Sequence, residues 1–209
     1  ENTNTPITIA LQGEWGSGKT SLMNSLKKNL SDSDNSNFHS IWLNTWEYAL
    51  MKDASSTLID IISKLIDEVS KIANVDNQKK NQLLKNVKKI GFSALKVASS
   101  LNSIASSAMD EIEKSLSQEQ EVTISQIRDE LENIISDCLQ KDAKKEGFIF
   151  FIDDLDRIDP PVAVQLLELL KNIFTLKNCV FVLAIDYDVV IKGLEPKFGK
   201  LSEQNEREF

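Results

Sequence analysis

The chain of 209 residues is short of the residue types that most catalytic and metal sites need. Its single histidine, His39, excludes any histidine-based triad or metal cluster and reads as an ordinary surface residue. The two cysteines, Cys138 and Cys179, stand far apart with no CxxC spacing, so neither a disulfide framework nor a zinc site is expected. That pattern fits a reducing cytoplasm. Positive charge is outnumbered: 24 Lys and Arg against 32 Asp and Glu leave a net charge of −8 and a pI of about 4.8. An acidic surface repels a phosphate backbone, which disfavours direct nucleic-acid binding and a DNA-associated motor. No arginine-rich lid lies between Pro160 and Phe209, which argues against a P-loop phosphotransferase. No internal repeat and no cleavable signal peptide is visible.

Long apolar runs are missing as well. The best candidate, Ile90 to Met109, has eleven apolar residues in twenty, but also Lys96, Asn102 and six serines. A membrane span needs roughly 20 predominantly apolar residues, and a central lysine costs about 2.5–3.5 kcal/mol on insertion scales. The segment reads as soluble. The chain starts at Glu1 and stops on the polar stretch Glu203 to Phe209, which reads as a piece of a longer protein.

Hydrophobic residues make up 41% of the chain, enough to bury a substantial core. Ile7 to Leu11 is a short β-branched run expected to form a buried parallel strand. Leu22, Met23, Leu26 and Leu30 then mark a helix, and the loop from Ser31 to Asn37 is made only of Ser, Asp and Asn. Ile41-Trp42-Leu43 predicts a second strand. The spacing of Leu58, Ile61, Ile62, Leu65, Ile66, Val69 and Ile72 predicts an amphipathic helix. Asp76 to Lys89 is lysine-rich and expected to be exposed, while Gly91 to Ser117 is the least legible stretch. Ile124 to Cys138 carries another helical period, so residues 70–145 read as a helical insertion between two strand-bearing halves. Phe148 to Ile152 is a continuous apolar run, expected to be a central strand. Asp159-Pro160 starts a helix, and Cys179 to Ile185 is the next strand. Strands alternating with helices predict an α/β layered sheet.

Two motifs carry chemistry. Gly13-Glu14-Trp15-Gly16-Ser17-Gly18-Lys19-Thr20 matches the P-loop pattern in full, after a strand and before a helix. Backbone N–H groups of such a loop, with the start of the next helix, make a positive concavity for phosphate. Lys19 reaches the β- and γ-phosphates, and the Thr20 hydroxyl ligates Mg²⁺. Asp153-Asp154 follows the apolar strand, where P-loop enzymes hold the metal and the attacking water; Asp153 is assigned to the metal and Asp154 to the water. Arg157 has two readings, a local ion pair or cap, and a finger that reaches a γ-phosphate or a neighbouring subunit. Asp186 also has two, a γ-phosphate sensor at a strand end and a simple turn former.

Together these residues resemble the KAP family of P-loop NTPases. The likeness rests on Gly13 to Ser21, on Trp42-Leu43-Asn44-Thr45-Trp46-Glu47-Tyr48, and on Phe151-Ile152-Asp153-Asp154-Leu155-Asp156-Arg157, with Val180 to Asp186 as further support. The resemblance implies an additional-strand P-loop fold, ATP rather than GTP as ligand, and a nucleotide-controlled switch that acts through self-association or an effector domain of the same chain. Many relatives carry paired transmembrane helices where this chain has residues 70–145; here that region is too polar, which implies a soluble branch. Bacterial members are linked to phage defence and plasmid-borne systems. Such switches complete their site with a second subunit, so low turnover by the segment alone is expected. The rival reading is an interaction module that binds ATP without hydrolysing it.

Overall fold

The computed structural model describes residues 5–31, 36–49, 54–99 and 124–198. In chain order the elements are β1 (Ile7–Gln12), α1 (Lys19–Leu30), β2 (Phe38–Asn44), α2 (Trp46–Ala49), α3 (Ala54–Ile72), α4 (Asn77–Ser99), α5 (Ile124–Lys141), β3 (Gly147–Asp153), a 3-10 turn (Leu155–Arg157), α6 (Pro160–Ile173), β4 (Cys179–Ile185) and α7 (Tyr187–Phe198). The four strands form one all-parallel sheet in the order β1-β4-β3-β2. β4 therefore lies between the strand that leads into the P-loop and the strand that ends in Asp153, as an additional-strand P-loop fold requires.

β3 is buried at every residue, because it has a strand on each side and helices on each face. Successive side chains of a strand point to opposite faces. Phe148 and Phe150 thus join a large core with α3, α4, α5 and α6, and Phe150 stacks on Phe181 at 4.8 Å. Ile149 and Phe151 face the other way, onto Met23 of α1, with Trp42 stacked on Phe151 at 5.5 Å. Both cysteines are free and buried, and burial pushes the Cys179 thiol up to about 12, which leaves it inert.

The structure overturns three expectations. β1 is parallel but not buried: it pairs only with β4 among the described residues, and Ile9 is 42% exposed. A β-branched run reports that a strand forms, not where it sits in the sheet. The lysine-rich stretch after Asp76 is not simply exposed either. It forms the first half of α4, with Leu83 and Val87, one turn apart, buried against the main core while its lysines face out. Lys80 closes that face by pairing with Asp67 of α3 at 3.2 Å.

His39 is also not an ordinary surface residue. Its ring packs on Phe148 with centroids 4.9 Å apart, and burial lowers its pKa. Among the described residues no helix is long and apolar enough to cross a membrane. Of the stretch Ile90 to Met109, residues 90–99 belong to α4 and the remainder lies outside the described residues.

Candidate functional site: a phosphate cleft at the strand ends

In a parallel sheet every strand ends at the same edge, so loops far apart in sequence converge there. β1 runs into the P-loop at that edge. Gly16 and Gly18 take left-handed dihedrals, φ 83° and 89°, which side-chain-bearing residues adopt at a cost. Their turn is closed by the Ser17 N–H donating to the Glu14 carbonyl at 3.1 Å. Gly18 caps α1, whose first residues are Lys19 and Thr20, so the free N–H groups of the first turn face the cleft.

The cleft measures about 260 Å³ and is lined by Trp15 to Ser21 of the P-loop and by Asp153, Asp154, Asp156 and Arg157 of the β3 end. That is room for phosphates and a hydrated ion, less than the roughly 300–1,000 Å³ of a pocket that swallows a whole ligand. Thr20 Oγ1 donates to Asp153 Oδ1 at 3.3 Å. Two hard oxygen donors side by side, with substrate phosphates to complete the shell, suit Mg²⁺. Charge points the same way. Three carboxylates against two cations leave the cleft with one excess negative charge, so a polyanion is better accepted with a divalent cation than alone.

Asp154 is 9% exposed and sits at φ 60°, a left-handed conformation that Asp tolerates better than most residues. This twist starts the 3-10 turn, with the Asp154 N–H donating to Asp153 Oδ1 at 2.9 Å. Burial, followed by the charge of Asp153, raises the Asp154 carboxyl above its usual range, and Arg157 pulls it part of the way back.

Arg157 Nε forms an ion pair with Asp154 Oδ1 at 2.7 Å, and its guanidinium lies 5.7 Å from the centroid of the Trp46 ring. Asp156, its neighbour, pairs with Lys19 instead, at 2.8 Å. Gly13 and Glu14 act through their carbonyls, which accept from Lys19 Nζ at 2.6 and 3.2 Å. Asp186 does not line the cleft. Its Oδ1 accepts from the Asp188 N–H at 3.0 Å, which caps α7.

Sequence reading missed Thr45. It is fully buried, and both its N–H (3.1 Å) and its Oγ1 (2.9 Å) donate to the Asp153 carbonyl. β2 pairs with β3 so that Asn44 lies opposite Asp153, which brings the next residue onto the acidic strand end. The tryptophan block and the acidic block are thus one structure: Thr45 holds the backbone of Asp153, and Trp46 holds the side chain that holds Asp154. Thr45→Val keeps the shape and the N–H bond but loses the hydroxyl bond. It should cost about 1 kcal/mol, a fall in Tm of roughly 2–4 °C, and an unchanged melting curve would show that the hydroxyl carries no load.

A parallel sheet with an additional strand, a complete phosphate loop and a threonine–aspartate pair beside it define a P-loop NTPase domain. The chain matches the KAP family P-loop domain over residues 1–209, and it belongs to that family. Membership carries nucleotide binding and hydrolysis as the general function. No curated protein matches the chain.

Proposed function

We propose that this domain binds ATP with magnesium and hydrolyses it, and that the cycle switches the conformation or assembly of a larger protein. The observation that carries the reading is the convergence of Lys19, Thr20, Asp153 and Asp154 from two distant blocks into one cleft. The P-loop N–H groups and Lys19 bind the phosphates, and Thr20 with Asp153 supplies the oxygen ligands for the metal. Magnesium, held there by Thr20 and Asp153, would supply charge neutralisation to the phosphates. Asp154, with its raised pKa, is the group that aligns the attacking water and takes up its proton. Arg157, 40% exposed and lining the same cleft, is the side chain that would serve the γ-phosphate once it leaves Asp154. ATP over GTP, and a setting in bacterial defence, rest on the family resemblance.

Thermal melts with nucleotide, read beside phosphate release, test this. Mg-ATP at about 100 times Kd should stabilise by about 2.7 kcal/mol, which raises Tm by roughly 5–10 °C. Chelation of magnesium should remove most of that shift, because the cleft is already negative. Phosphate release with Mg-ATP completes the reading; a Tm shift without any release would favour the non-hydrolysing interaction module. No shift with either ATP or GTP would sink both.

A further inference from the structure

An ammonium has three protons. All three of Lys19's are engaged: two by the carbonyls of Gly13 and Glu14, its own loop, and one by the Asp156 carboxylate. The Lys19 and Asp156 side chains are only 10% and 7% exposed, so this pair is shielded from solvent competition. The loop carbonyls travel with Lys19; Asp156 comes from the other half of the chain. A phosphate that approaches Lys19 must therefore displace Asp156, another anion. The neighbouring Arg157 closes a second contact, onto Asp154. Asp156 and Arg157 belong to one three-residue 3-10 turn, so a shift of its backbone carries both.

We propose that Asp156 is a built-in competitor for phosphate: it holds Lys19 in the nucleotide-free state, and its displacement moves the turn so that Arg157 releases Asp154. This rests on the reading that the cleft binds ATP, and it adds what occupies Lys19 beforehand. Binding at Lys19 and readiness of Asp154 become one event, and Trp46, under the Arg157 guanidinium, stands where it reports that event.

The test compares the wild-type chain with Asp156→Asn, and with Asp156→Ser as a second variant should the first fail to fold. Equilibrium binding is measured with Mg-ATP and with ATP in chelator. Tryptophan emission is recorded alongside, and the part that disappears in Trp46→Phe is assigned to Trp46. Removal of the competitor should tighten both forms of ATP by roughly tenfold or more. The Trp46 emission of the nucleotide-free variant should already lie at the ATP-bound value of the wild type. Equal affinities in wild type and variants overturn the proposal, and weaker Mg-ATP with unchanged metal-free ATP would make Asp156 a metal ligand instead. Tighter binding with an unmoved Trp46 signal overturns the coupling to Asp154. If neither wild type nor variants bind ATP, it is the nucleotide reading that fails.

Discussion

Asp154→Asn should all but abolish phosphate release from ATP while nucleotide still binds. A positioned general base contributes typically about 10²–10⁴ in rate, and the amide cannot take up a proton. Its shape is kept, and the amide oxygen can still accept from Arg157 Nε, so the cleft should survive. The same substitution should stabilise the fold. Asp154 has a raised pKa in the folded state, from burial first and then from Asp153. The folded protein therefore holds that proton more tightly than the unfolded chain, and stability falls as pH rises from the ordinary carboxylate value through the folded one. At neutral pH the charged group is a net cost that Asn removes. Melts at pH 7 should show a higher Tm for the variant, with the advantage shrinking as the pH is lowered toward the ordinary carboxylate pKa. Single-turnover release within tenfold of wild type would remove Asp154 from the chemistry. A lower Tm at pH 7 would mean that the Arg157 pair outweighs burial.

Lys19→Ala should have the second large effect, and on two properties at once. Loss of the ammonium removes charge-assisted bonds to phosphate worth about 1.5–3 kcal/mol each, a fall in ATP affinity of at least tenfold to a hundredfold. It also strands Asp156, 7% exposed, with no cation beside it. Breaking a buried pair on one side costs about 3–5 kcal/mol, so Tm should drop on the order of 10 °C. The double variant Lys19→Ala/Asp156→Asn separates the two effects: Tm should recover and ATP affinity should not. If the single variant melts like the wild type, the Lys19–Asp156 pair contributes nothing to the resting fold.

The readable parts of this chain are those in which function and local structure share a few contiguous residues. The P-loop is of this kind, since the left-handed dihedrals that curl it around phosphate demand glycine at Gly16 and Gly18 themselves. Phe148 to Ile152 is another: a strand covered on both faces has no polar positions to alternate, and the sequence says so. Where polar residues mask the period, as in the lysine-rich start of α4, Leu83 and Val87 were lost in the composition although their spacing is helical. Asp186 carried two local readings with one pattern; its bond to the Asp188 N–H supports the capping one.

By itself the sequence determined the strand-loop-helix of the phosphate site, the acidic strand end, the alternation that makes an α/β sheet, and the family. Each of these depends on residue types at short spacing, where backbone geometry and side-chain chemistry are local. Only the tertiary structure decided that β1 pairs with β4 alone among the described residues, that Thr45 holds the Asp153 carbonyl, and that Asp156 pairs with Lys19 while Arg157 pairs with Asp154. Those facts follow from strand order and register, which bring Asn44 beside Asp153 and Lys19 beside Asp156 across more than a hundred residues. No spacing in the sequence encodes such a distance; packing of the whole sheet does.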